Sequence, residues 1–151
     1  MVLVTPPDEE QIMLRGLTTA VYFADDVPAA VRWYTELFGV EPYFVRPVDG
    51  PPAYVEFRIG DYQHEFGLLD RRFDPSGPAE RPGGAITYWY VDDVEASVAR
   101  LLSRGATPHD KPVERGPGFI TASVVDPFGN ILGVMYNTHY LSVLDSFRTG
   151  A

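Results

Sequence analysis

One short block occurs twice: Asp25-Asp26-Val27-Pro28-Ala29-Ala30-Val31 returns as Asp92-Asp93-Val94-Glu95-Ala96-Ser97-Val98, an offset of 67 residues as from Asp25 to Asp92. Self-similarity at a fixed spacing constrains a fold more than any single motif, because each copy reads as one supersecondary unit with its own apolar face. Each block follows an apolar, β-prone run, Thr19 to Ala24 or Ile86 to Val91, and opens a helical pattern that ends before Gly39 or Gly105. In the first helix Val27, Ala30, Val31, Tyr34, Leu37 and Phe38 recur at spacings of three and four. Val94, Val98, Leu101 and Leu102 do so in the second. Asp26 and Asp93 stand where an N-cap carboxylate accepts backbone N–H bonds and meets the positive end of the helix dipole.

After each helix the pattern turns β-like. The first copy predicts strands over Tyr43 to Arg46, Ala53 to Ile59 and, after a Gly60-Asp61 turn, Tyr62 to Leu69. The second predicts Thr107 to Val113, Phe119 to Val125 and Ile131 to Asn137, the last two joined by the turn-forming Asp126-Pro127-Phe128-Gly129-Asn130. The expected organisation is an N-terminal extension (1–16), a first βαβββ module (17–70), a Pro- and Gly-rich linker (71–84), a second βαβββ module (85–137) and a C-terminal extension (138–151). A short helix is expected over Glu9 to Leu17. The fold class is α+β, two tandem modules forming a curved mixed sheet around a ligand cleft.

Composition narrows the function classes. At 151 residues and 45% hydrophobic content the chain suffices for one sizeable core. No apolar run approaches the ~20 residues of a membrane span, and no basic stretch precedes an apolar one at the N-terminus, so a cytoplasmic location without membrane contact is expected. With no cysteine there are no disulfides and no thiolate nucleophiles or ligands, leaving His, Asp and Glu for any metal. A formal net charge of −9 repels polyphosphate, which argues against nucleic acid as a partner.

Three segments together resemble the vicinal oxygen chelate superfamily, which contains glyoxalase I, extradiol dioxygenases, fosfomycin-resistance and bleomycin-resistance proteins. They are Trp33-Tyr34-Thr35-Glu36-Leu37-Phe38-Gly39, Tyr90-Val91-Asp92-Asp93-Val94 and Asp126-Pro127-Phe128-Gly129-Asn130. The resemblance implies two modules pairing around a cleft. It also implies metal ligands on the first and last strands of each module, usually His, Gln or Glu. Matched to this sequence those positions are Thr19, Glu65, Ile86 and Gly133, of which Glu65 alone binds a metal strongly. One carboxylate does not hold a first-row ion, which takes about three or more protein donors. His64 does not complete a set, because adjacent strand residues face opposite ways. Hence no metal and no cofactor are expected.

Alternation assigns the faces. Val55, Phe57, Ile59, Phe66 and Leu68 face the helices, as does Trp89, which is expected to pack under the second helix. Toward the cleft point Tyr54, Glu56, Arg58, Gln63, Glu65 and Gly67, then Val21, Phe23, Tyr88, Tyr90, Ile131 and Met135. The predicted ligand-binding set is Phe23, Tyr54, Glu56, Arg58, Glu65, Tyr88, Tyr90 and Met135, an aromatic pocket with few polar groups. Glu65 is the candidate catalytic residue: among Tyr, Phe and Met its pKa rises unless a cation pairs with it, and Arg58 is the nearest candidate. Gly133 is expected to leave space for a larger ligand. His139 to Leu144 either closes the cleft or meets a second copy, and a homodimer is expected. The expected function is a metal-free glyoxalase- or bleomycin-resistance-like protein that binds a small aromatic or cationic molecule. The alternative is a lyase, isomerase or dioxygenase with a divergent metal site or with Glu65 as general base.

Overall fold

A computed structural model describes residues 13–78, 80 and 82–149. The first module comprises β1 (Thr19–Ala24), α1 (Val27–Phe38), β2 (Phe44–Arg46), β3 (Tyr54–Ile59) and β4 (His64–Asp70), followed by a 3-10 turn, Arg71–Phe73. The second comprises β5 (Thr87–Tyr90), α2 (Val94–Ser103), β6 (Thr107–Gly116), β7 (Phe119–Val125) and β8 (Ile131–Asn137), and the chain continues into α3 (Thr138–Thr149). Each module folds into a four-stranded mixed sheet, ordered β1-β4-β3-β2 and β5-β8-β7-β6, with the first and last strands parallel and the others antiparallel. The expected curved sheet is therefore two sheets, and they are not closed into a barrel.

The repeat acts through local chemistry. Asp26 accepts the Ala29 N–H and Asp93 the Ala96 N–H, each at 3.0 Å, so both duplicated aspartates cap their helices. Gly39 ends α1 at φ +72°, a conformation that favours glycine, and its N–H returns to the Thr35 carbonyl. The α1 face at Val27, Ala30 and Tyr34 is buried, as are the helix-facing residues Val55, Phe57, Phe66 and Leu68.

Three local features differ from expectation. The β3–β4 connection is four residues, Gly60 to Gln63, rather than two. Gly60 sits at φ +75°, Gln63 at φ +54°, and the Gln63 side chain bonds the Gly60 carbonyl, so Gln63 belongs to the turn and not to the face of β4. β6 is longer than predicted and its register shifts repeatedly, in keeping with an edge strand that carries Pro108 and Pro112, which have no N–H for a ladder. Residues 13–17 of the predicted N-terminal helix are not helical, and the remainder of that segment lies outside the described residues. The C-terminal extension forms α3, capped by the Asn137 side chain accepting from the His139 N–H. No helix among the described residues is long and apolar enough to cross a membrane.

The modules are joined around Asp126, which is 3% exposed. One of its carboxylate oxygens accepts the backbone N–H groups of Phe128 and Asn130 at 2.9 and 2.8 Å; the other accepts the Asn130 amide and the Tyr34 hydroxyl of α1. Asn130 then reaches the first module: its Oδ1 accepts the Phe23 N–H at 3.1 Å, and its Nδ2 donates to the Phe23 carbonyl at 2.8 Å. An amide side chain thus occupies the hydrogen-bonding edge of β1 as a neighbouring strand would. Trp33 donates to the Arg104 carbonyl, Arg71 to the Phe128 carbonyl and Tyr22 to the Ile131 carbonyl. Trp89, expected beneath the second helix, lies against Phe38 and Phe66, each at 5.6 Å, so it packs on the first module's aromatic core.

Tyr34→Phe removes one donor from a buried carboxylate and is expected to cost about 1.5–3 kcal/mol. Asp126→Ala, which orphans Tyr34 and two backbone amides, is expected to cost about 3–5 kcal/mol. Urea unfolding checks both, with a lowered midpoint and an unchanged denaturant slope as the expected result.

Candidate functional site

On the face of sheet one turned away from the helices, β1, β3 and β4 place polar side chains within reach of one another. Register sets Thr19 opposite Glu65 and Glu65 opposite Arg58. Thr19 Oγ1 donates to Glu65 Oε2 at 2.7 Å, and Arg58 donates to Oε1 at 2.8 Å. Both carboxylate oxygens are engaged. The Thr19 hydroxyl and the Arg58 guanidinium hold Glu65 below the ordinary carboxylate range, the hydroxyl contributing most. A cation does pair with it, so the rise expected of an unpaired Glu65 is absent. His64 is exposed, beside Tyr62.

Glu56 has donors of its own. Tyr43 and Tyr54 each donate to one of its oxygens at 2.6 Å. The bond to Glu56 lifts the Tyr43 hydroxyl to about 12, and burial together with Glu56 raises Tyr54 further. The Arg58 guanidinium lies 5.2 Å from the Tyr43 ring centroid, which brings the two networks together. Tyr54 covers Gly67: a Cβ on that glycine would meet its ring at 2.8 Å.

Sheet two repeats the device. Tyr88 pairs with Gly133 in the register, and a Cβ there would meet the Tyr88 ring at 2.6 Å and Ile86 at 2.9 Å. The space expected at Gly133 is filled by this chain's own Tyr88. Tyr90 stacks on Tyr140 of α3 at 4.4 Å with the rings 5° from parallel, and burial with the Asp92 bond raises its hydroxyl to about 12. Tyr140 also donates to Asp61, and Arg148 pairs with the same carboxylate, so α3 is fastened to the β3–β4 turn of its own chain. The Met135 thioether accepts from Asn137.

Several residues of this face were not anticipated. Thr121 and Ser123 are buried, with Arg115 donating to Thr121 and pairing with Asp110, while His109 Nδ1 bonds Ser123 Oγ at 2.8 Å. The signal was present: along β7 the apolar Ile120, Ala122 and Val124 alternate with Thr121 and Ser123, and carrying the phase of β8 across the register reaches both.

A cavity of about 620 Å³ opens between β1, the start of β5 and β8, and the linker. Val21 and Phe23 line it from β1 and Ile131 from β8, with Arg71, Asp74 and Pro78 on the linker side. Three of the expected cleft residues therefore meet there. Tyr54, Glu56, Arg58 and Glu65 lie along sheet one and Tyr88, Tyr90 and Met135 along sheet two, outside that cavity's lining. Val21 on β1 and Tyr88 on β5 are each 40% exposed, an aliphatic and an aromatic surface open to solvent.

The four positions matched to metal ligands offer one carboxylate, already bonded on both oxygens, one hydroxyl spent on that carboxylate, an alkyl group and a glycine under a tyrosine ring. Among the described residues no three His, Cys, Asp or Glu side chains are grouped to hold an ion. The donor set does not fit a tightly bound divalent metal.

A model of the Glyoxalase/Bleomycin resistance protein/Dioxygenase superfamily matches residues 16–134. The chain belongs to that superfamily. The three segments that carry the resemblance thus mark membership, and two of them touch: Tyr34 bonds Asp126, and Trp33 meets Phe128 edge-on at 6.3 Å. Among solved superfamily structures, a glyoxalase-related enzyme from Fulvimarina pelagi is 20% identical, covering 83% of this chain and 90% of its own, with a TM-score of 0.64. A superfamily member from Sphaerobacter thermophilus DSM 20745 is 21% identical over 82% and 98%, TM-score 0.62. A lactoylglutathione lyase from Agrobacterium tumefaciens is 21% identical over 83% and 96%, TM-score 0.59. At these identities the likeness is one of fold. No curated protein matches the chain.

Gly133→Ala is expected to destabilise by about 1–3 kcal/mol, because its Cβ has no room beneath Tyr88. In a Tyr88→Ala background the same change is expected to cost much less, and a double-mutant cycle by thermal and urea unfolding reads that coupling.

Proposed function

We propose that this superfamily member is a metal-independent small-molecule binder that holds an aromatic ligand, neutral or cationic, on the open face between its two sheets. The observation that carries the reading is the fate of the four matched ligand positions: each is engaged with a neighbour of the same module instead of presenting a free donor. What remains available is apolar and aromatic. Val21 on β1 and Tyr88 on β5 are open, and Phe23 and Ile131 line the adjoining cavity, whose volume falls within the ~300–1,000 Å³ of small-molecule sites.

The acidic groups bear on ligand class. Glu65 is neutralised by Arg58 and Glu56 is bonded by two tyrosines, so a cationic ligand gains from tyrosine faces and the overall negative charge more than from an unpaired carboxylate. The same bonds make Glu65 a weak proton acceptor at neutral pH, since a general base works best with a pKa near the operating pH. Binding is therefore favoured over acid–base turnover.

A thermal-shift panel of planar aromatic compounds, neutral and cationic, tests the reading, followed by calorimetry on the hits. A ligand present at 100 times its Kd is expected to stabilise the native state by about 2.7 kcal/mol. Tyr88→Ala is expected to weaken binding at least tenfold while leaving the circular dichroism unchanged. Near-stoichiometric transition metal in protein purified without chelators, or no shift across the panel, refutes it.

A further inference from the structure

A second cavity lies on the opposite side of the sheets, in the helix layer where the modules meet. Its volume is about 320 Å³, at the lower end of the range for small-ligand sites. Leu37 and Phe38 of α1, Trp89 of β5, Leu101 of α2 and Leu132 and Val134 of β8 line it. The last two alternate with Gly133 and Met135, so this cavity and the open face are separated by the thickness of sheet two. Its wall is mainly hydrocarbon and aromatic, with Tyr90 of β5 also on it, and the polar side chains that α2 contributes are Ser97 and Arg100, one turn apart.

Arg100 gives the cavity a chemical preference. It is exposed and takes part in no ion pair among the described residues. The neighbours three and four positions away on the helix are Ala96, Ser97, Ser103 and Arg104, none of them acidic, so no carboxylate of α2 is placed to neutralise it. Arg104 is itself paired with Glu36. A mainly apolar cavity with an unneutralised guanidinium at its edge complements a molecule with a hydrocarbon body and one anionic end.

We propose that this cavity binds an aliphatic monocarboxylate, its chain between Leu37, Phe38, Leu132 and Val134 and its carboxylate on Arg100 and the Ser97 hydroxyl. The site is independent of the open face and does not rest on the ligand proposed there.

Octanoate and octylamine, titrated against the full chain, share a hydrocarbon tail and differ in the sign of the head group. Calorimetry and Trp89 emission are the readouts, since that indole lines the cavity. Octanoate is expected to bind saturably and roughly tenfold more tightly than octylamine. Arg100→Glu is expected to reverse that order, and Ser97→Trp, which fills the chamber from its edge, to abolish both, with circular dichroism reporting that each variant folds. Tyr88→Ala on the open face is expected to leave octanoate binding unchanged. Absence of saturable binding at millimolar octanoate, equal binding to the Ser97→Trp protein, or indifference to the charge at position 100 overturns the proposal.

Discussion

The buried carboxylate of Asp126 is the interaction on which the rest of this structure depends. A βαβββ module has one apolar sheet face and one apolar helix stripe, and two of them share a core only if something fixes where they meet. Asp126 does so by accepting four hydrogen bonds, two from its own turn, one from Asn130 and one from Tyr34 of the other module. Burial and the neighbouring carboxylate push the Tyr34 hydroxyl well above its ordinary pKa, so it remains a donor throughout the physiological range. Asn130, oriented by Asp126, then satisfies both backbone groups of Phe23, which places β1 beside the start of β8.

Once the modules are joined this way, the open face follows from a pattern used in each. A tyrosine lies over a glycine of the last strand, Tyr54 over Gly67 and Tyr88 over Gly133, closing space against the sheet with ring area. Carboxylates on that face are satisfied from within: Glu65 by Thr19 and Arg58, Glu56 by Tyr43 and Tyr54. Of the four positions matched to metal ligands, Thr19, Glu65 and Gly133 are each taken up by an internal contact. Val21 and Tyr88 remain exposed beside these satisfied groups, and it is on them that the proposal of a binding face rests.

The duplicated Asp-Asp-Val block and its capping aspartates made the module architecture legible in the sequence, because caps and helical periodicity are local. Strand alternation likewise separated Phe57, Phe66 and Leu68 from Glu56, Arg58 and Glu65, and it found the Arg58–Glu65 pair. What escaped depends on geometry between strands. The fate of Gly133 turns on Tyr88 being its register partner and on the direction of that ring, and a register one residue different would have set another side chain there. Gln63 stands in the turn at φ +54°, a conformation so rare outside glycine that a sequence pattern does not signal it. The bond from Tyr34 to Asp126 spans 92 positions and joins motifs that, read singly, look like a helix end and a turn. His139 to Leu144 gave only an apolar segment, whereas Tyr140 and Arg148 converging on Asp61 of the first module requires the whole of α3.

If the Asp126 turn does weld the modules, they unfold as one unit. Native-state hydrogen exchange with increasing denaturant tests this most directly, by following the amides of Phe66 and Leu68 in β4 against those of Ala122 and Val124 in β7. The account predicts that both sets exchange through a common opening of the same free energy and the same denaturant dependence. Exchange of β4 through a separate opening of lower free energy, while β7 stays protected, would contradict it.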